Sequence, residues 1–247
     1  MSRSKVSLPV FKYDDAIRRA LVVVAHPDDI DFGSAGTIAT LTSHGVDVAY
    51  CLVTSGDAGG DGSTLSKAER AALREAEQTA AAAEVGVTKL TFLRWPDGQV
   101  EPTLDLRREI SRVIRVQKPD LVITQSPERN WERIYASHPD HLAAGEATMR
   151  AVYPDARNPH AFPELLAEGY LPHTVKVVWL SSQQPTMVVD ITKRFSQKLA
   201  ALTKHESQVG DREDLEPMLK AWARTTAKNA GLAKGRLAEG FRVVSTS

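Results

Sequence analysis

The stretch "AHPDDID", residues 25 to 31, sets one imidazole and three carboxylates directly behind the apolar run "LVVV". His26 and Asp29 stand three apart, with Pro27 stiffening the turn and Asp28 between. In a strand-to-loop turn His26 and Asp29 could converge on one point while Asp28 faces a neighbouring one, which suits a metal ion with a base beside it. A second cluster, "HPDH" at 138 to 141, follows the polar loop "SPERNWERIYAS" and opens the helical pattern "HLAAGEATMRAV". Its two histidines could lie close together at a helix N-terminus, one binding metal and the other facing a substrate oxygen. The residues alone thus give as ligands His26, Asp29 and one of His138 or His141.

Three protein ligands with an open fourth position is the pattern of a catalytic rather than a structural zinc site. Water in that position has its pKa lowered toward roughly 7. The unbound carboxylate, Asp28, is then the natural general base, a role worth about 10²- to 10⁴-fold in rate. Two imidazoles and a carboxylate also suit Fe2+ or another divalent ion. A lone "HPD" is a common turn, and Asp140 or Ser137 could simply cap a helix. Two such segments, each at the carboxyl end of an expected strand, argue for the metal site.

The elements that must position these residues alternate along the chain. Runs at 20 to 25, 47 to 54, 89 to 95, 120 to 125 and 174 to 181 read as strands, and "TMVVDIT" as a last one. Between them lie helical patterns: "SAGTIATLTSHG" ending at Gly45, the alanine-rich segment before Gly86, and "LDLRREISRVIRVQKPD", which stops before Pro119. A helix over "KRFSQKLAALTKHESQ" has Leu199 and Leu202 on its apolar side. This βαβα order implies an α/β fold, a Rossmann-like three-layer α/β/α sandwich with a mostly parallel sheet. Ligands then bind outside the carboxyl ends of the strands. One domain over 1–247 is expected, with a core at about 20–210 and a C-terminal helical extension at about 211–247.

Composition narrows the function classes. Lys plus Arg equals Asp plus Glu at 31 each, so bulk charge argues for no nucleic-acid and no membrane partner. The single cysteine, Cys51, excludes an intramolecular disulfide and a cysteine-rich zinc cluster, and it reads as a small buried hydrophobe. The N-terminus lacks a signal-peptide apolar region and no 18-residue apolar stretch exists, so a soluble, cytoplasmic protein is expected. "GSAG" at 33 to 36 and "SGDAGGDGS" at 55 to 63 spell neither a dinucleotide fingerprint nor a phosphate loop. The first reads as a site of close helix packing, the second as a loop over the site. No G-x-S-x-G elbow supports a serine hydrolase.

Taken together, "AHPDDIDFGSAGTIA" and "HPDH" resemble the signatures of the PIG-L/LmbE-like deacetylases, zinc enzymes that remove N-acetyl groups from N-acetylglucosaminyl compounds. "LREAEQTAAAAEVGV", "WPDG", "KPDLVIT" and "KLAALTKHESQ" look like family segments in family order, so the likeness covers roughly residues 20 to 210. The resemblance implies His26, Asp29 and His141 as zinc ligands and Asp28 as general base. It implies that His138 polarises the amide carbonyl and, protonated, stabilises the oxyanion, that Asp140 orients an imidazole, and that Arg74 contacts the sugar. The substrate expected from it is a small amino sugar or glycoconjugate, and it allows a homo-oligomer. Where many members have Glu after the paired aspartates, this chain has Ile30 followed by Asp31, whose role is open. A zinc amidase cleaving a larger acyl or cysteinyl amide of a glycoside conjugate would share every catalytic residue. A non-catalytic sugar-binding protein is the reading from another class. The cleft walls are expected from the loops at 55 to 66 and 126 to 137 and the Pro-rich excursion at 152 to 173.

Overall fold

Alternation along the first strand, β1 (Arg19–Val24), sends Leu21 and Val23 to one face of the sheet and Ala20, Val22 and Val24 to the other. Both sets are buried, as in a strand covered on two sides. The computed structural model describes residues 7–13, 15–60, 64–182 and 184–246. After β1 come α1 (Asp29–Gly33), α2 (Ala35–Ser43), β2 (Asp47–Thr54), α3 (Lys67–Glu84), β3 (Lys89–Trp95), α4 (Leu104–Gln117) and β4 (Leu121–Gln125). The second half carries α5 (Pro139–Arg150), α6 (Pro163–Ala167), β5 (Val177–Ser181), β6 (Met187–Asp190), α7 (Phe195–Leu202), α8 (Glu206–Val209), α9 (Leu215–Asn229) and β7 (Ala238–Ser245). Local chemistry starts the longer helices: a Ser66/Glu69 capping box opens α3, and the Thr103 side chain caps α4.

Among the described residues the strands form one seven-stranded sheet in the order β3-β2-β1-β4-β5-β7-β6. The pairs from β3 to β5 are parallel, and β7 runs antiparallel to both of its neighbours. Ile38, Leu41, Ala81, Leu202 and Leu219 from α2, α3, α7 and α9 fill the core on one face. Leu106, Ile110, Ile114, Ala144 and Ala147 from α4 and α5 fill the other. This is the expected Rossmann-like α/β/α layering. Cys51 is fully buried in the second core, where burial pushes its thiol up to about 12, so it is an inert filler. Because β2 and β4 flank β1, the chain leaves β1 in opposite senses, and the crevice at the carboxyl ends of β1 and β4 is the switch point where such folds bind ligands. Among the described residues no helix is long and apolar enough to cross a membrane.

Two expectations are corrected. The segment after 210 is not a helical extension outside the core: α9 is followed by β7, which inserts between β5 and β6 with Phe241 fully buried. Glu239 of β7 accepts hydrogen bonds from the Gly36 and Thr37 N–H groups at 3.2 and 2.7 Å, serving the N-terminus of α2, and pairs with Lys198 at 2.6 Å. The excursion at 152 to 173 does not wall the switch point. Buried Arg115 of α4 donates to the carbonyls of Asp155, Ala156, Asn158 and Ala161, and His173 Nε2 meets the Pro119 carbonyl at 2.8 Å. These bonds fasten the excursion to the end of α4 and the start of β4, at the amino ends of the strands, opposite the switch point.

Candidate metal centre

The site grows from the ends of β1 and β4. The Ala25 N–H donates to the Gln125 side chain at 3.0 Å, so the two following loops start side by side. The His26 N–H donates to Asp29 Oδ2 at 2.8 Å and closes the turn that Pro27 stiffens. On the other side, a Cβ on Gly145 would stand 2.4 Å from the Gln125 carbonyl oxygen. Glycine there lets α5 lie against the end of β4, which carries His138, its N-cap, and His141 to the loop after β1.

His26 Nδ1 lies 3.2 Å from His141 Nε2 and 3.3 Å from Asp29 Oδ2, and His141 Nε2 lies 3.0 Å from Asp29 Oδ1. Donors bound to one tetrahedral ion at about 2.0–2.1 Å stand about 3.3–3.4 Å apart, so the three side chains fit a single divalent ion. The far nitrogen of His26 is already used: Nε2 lies 3.0 Å from Asp97 Oδ1 and 3.2 Å from Asp140 Oδ2. Those carboxylates hold a hydrogen on Nε2 and leave the Nδ1 lone pair for the cluster. Asp140 is itself fixed by the N–H groups of Gly98 at 2.7 Å and Val100 at 3.2 Å. Burial opposes charge on His26, yet bonds to Asp29 and Asp97 outweigh it and raise the imidazole to about 10. A proton and a metal ion therefore compete for the same Nδ1 lone pair.

The consecutive acids are treated oppositely. Burial, reinforced by the neighbouring Asp29, raises Asp28 to about 7. Asp29 is buried as well, but the charge and hydrogen bonds of His141 and His26 hold it below the usual carboxylate range. Asp28 has φ +85°, a left-handed backbone costing a non-glycine residue about 1–2 kcal/mol. Its carboxylate takes a bond from Arg74 Nη2 at 3.2 Å.

His138 joins the imidazole cluster, its ring centroid 5.1 Å from those of both His26 and His141. Its Nδ1 accepts the Asp140 N–H at 3.2 Å, so the neutral ring carries its hydrogen on Nε2. Burial and the two neighbouring imidazoles lower its pKa, which favours this neutral donor over the expected imidazolium. Arg74 is 4 % exposed, and its guanidinium bonds the carbonyls of Pro27 at 2.7 Å and Gly56 at 3.0 Å as well as Asp28. It forms the wall behind Asp28. Cβ atoms at Gly56 or Gly59 would strike that guanidinium, which explains those two glycines; residues 61–63 lie outside the described residues.

Sequence reasoning gave no role to Asp97, Gln78 or His205. Asp97 lies in the quoted "WPDG", and only the fold brings it to His26. Asp31 is fully buried between His205 Nε2 at 2.8 Å and Gln78 Nε2 at 2.9 Å, so it braces the turn from beneath.

A switch point carrying two imidazoles and a carboxylate at single-ion spacing, with a further carboxylate alongside, is the layout of a metal-dependent enzyme that activates water. The chain belongs to the PIG-L family, whose GlcNAc-PI de-N-acetylase model matches residues 21–152. It is 34% identical over 243 residues to the diacetylchitobiose deacetylase of Thermococcus kodakarensis, covering 98% of this chain and 88% of the relative. It is 27% identical over 271 aligned positions to a 1D-myo-inositol 2-acetamido-2-deoxy-alpha-D-glucopyranoside deacetylase of Saccharopolyspora erythraea, covering 90% and 84%. Among solved structures, the N,N'-diacetylchitobiose deacetylase of Pyrococcus horikoshii superimposes with a TM-score of 0.85 at 31% identity, over 93% of this chain and 84% of that one. The 4-carboxy-2-hydroxymuconate hydratase GalB of Pseudomonas putida shares the fold at a TM-score of 0.77 and 21% identity, so fold alone does not select the reaction.

Proposed function

We propose that this chain is a metal-dependent N-deacetylase that removes the acetyl group from an N-acetylglucosaminyl-type small molecule or glycoconjugate, with zinc as its metal. The observation that carries the reading is the grouping of His26 Nδ1, His141 Nε2 and Asp29 beside Asp28: the two nitrogens lie 3.2 Å apart, and they meet Asp29 Oδ2 at 3.3 Å and Asp29 Oδ1 at 3.0 Å respectively. The deacetylases of Thermococcus kodakarensis and Saccharopolyspora erythraea support the substrate class.

His26, Asp29 and His141 would hold the ion. When bound, it supplies Lewis acidity and lowers the pKa of water. The residues around it do the rest. Asp28, raised toward neutrality, accepts a proton from the attacking water. His138, neutral and carrying its hydrogen on Nε2, donates to the acetyl oxygen as negative charge develops there. Asp28 then gives its proton to the amine nitrogen as the C–N bond breaks, so one of water's hydrogens leaves on the amine and its oxygen with the other hydrogen leaves as acetic acid, which ionises to acetate. Asp140 and Asp97 keep the His26 ring in the orientation the ligand role needs, and Arg74 holds the carboxylate of Asp28. The family-implied sugar contact of Arg74 requires its guanidinium to share these partners with a hydroxyl.

The loop at 126 to 137 forms the wall next to His138. Its base is closed by the Asn130 N–H on Ser137 Oγ at 2.7 Å, and Trp131, 80 % exposed, rises from it. A cytoplasmic location and a homo-oligomeric state belong to the same proposal and are tested by fractionation and light scattering. The function is tested by amine release from N-acetylglucosaminyl compounds, larger N-acyl glucosamines and cysteinyl amides, with metal-stripped and zinc-reloaded protein. Release from the acetylated sugars only after reloading supports it. Release from only the larger amides would make the enzyme an amidase, and release from none would reject the reading.

A further inference from the structure

The strained backbone of Asp28 needs something to hold it, and the structure supplies a chain of buried polar groups for that purpose. The Asp28 carbonyl accepts the N–H groups of Asp31 at 2.9 Å and Phe32 at 3.0 Å. Its own N–H donates to Gln78 Oε1 at 2.9 Å, from the middle of α3. Gln78 is fully buried and its Nε2 donates to Asp31 Oδ2 at 2.9 Å; the same oxygen accepts His205 Nε2 at 2.8 Å. A backbone N–H only donates and a carboxylate only accepts, so the Gln78 amide satisfies both neighbours in one orientation and neither when flipped. Burial makes the wrong orientation costly.

We propose that Gln78 is a positioning residue for the reaction. It holds the left-handed backbone of Asp28, while Asp31 and His205 clamp the Gln78 amide. The inference rests on Asp28 being the general base. It gives Asp31 the task that its sequence position left open: Ile30 turns into the core, and the acid one place later faces inward to Gln78. Released from Gln78, Asp28 would relax toward an ordinary backbone region and swing its carboxylate away from the cluster.

The test uses Gln78→Ala, Gln78→Leu and Asp31→Asn in the full chain. Asp31→Asn keeps the shape but offers Gln78 a donor as well as an acceptor, freeing the amide to flip. Zinc content, kinetics on N,N'-diacetylchitobiose and exchange of the Asp28 amide hydrogen by NMR are measured on each. The expected result is a kcat about 10- to 100-fold lower, with KM and bound zinc unchanged. The Asp28 amide should exchange at least about tenfold faster than in the wild type. In an Asp28→Ala background, adding Gln78→Ala should change the residual rate by less than about twofold, because both act on one function. The proposal is overturned if both Gln78 variants keep kcat with full zinc, if activity falls only in proportion to zinc, or if the losses add. Should wild-type protein release no amine, the functional reading fails first, and the Asp28 exchange rates still judge the clamp.

Discussion

Asp28 and Asp29 are neighbours with opposite environments, and that contrast supports the division of tasks proposed for them. A pair of acids pushed apart in proton affinity marks which one trades protons and which one stays ionised. Asp28→Ala should therefore keep a full equivalent of zinc, read by metal analysis, while kcat falls at least about 10²-fold. Asp29→Ala and His141→Ala should instead lose the metal. Asp97→Ala leaves the His26 ring with Asp140 alone and should weaken zinc about 10- to 100-fold in a competition titration. The cluster around His26 was legible because its members lie within two short motifs. Asp97, Gln78 and His205 lie within segments that resemble the family, but their roles were not legible, because each sits far along the chain from the residue it serves. The lowered pKa of His138 was also out of reach, since it depends on burial and on two imidazoles brought close by folding.

Elements set how closely those residues approach. Gly36 of α2 lies where a Cβ would come within 2.8 Å of the Ile191 side chain, as "GSAG" had suggested. Gly36→Ala should cost about 1–3 kcal/mol by overpacking, read as a lower urea midpoint with an unchanged slope. Gly145→Ala meets backbone rather than a flexible side chain, so α5 must shift and both imidazoles with it. It should reduce zinc affinity and kcat together. The strands from β1 to β6 could be read from β-branched runs because each is decided by its own side chains. β7 could not, since "AEGFRVVS" opens on Glu239 and Gly240 and its strand state is fixed by pairing with β5 and β6. Proline content marked the excursion after α5 as irregular, but which end of the strands it packs near depends on Arg115, whose carbonyl partners lie 40 or more positions away.

At the scale of the whole molecule, the C-terminal strand and the catalytic turn are one cooperative structure. Lys198 of α7 reaches both Glu239 of β7 at 2.6 Å and the Phe32 carbonyl of α1 at 2.7 Å. Glu239→Ala would strand that buried ammonium and uncap α2, and should cost about 3–5 kcal/mol, seen as a fall in Tm. The most direct test of the whole account is acetate release from the panel of N-acetylglucosaminyl compounds by wild-type and Asp28→Ala protein, with zinc measured in the same samples. The account predicts that both hold one zinc and that only the wild type turns over. Equal turnover by the zinc-loaded Asp28→Ala protein would contradict it.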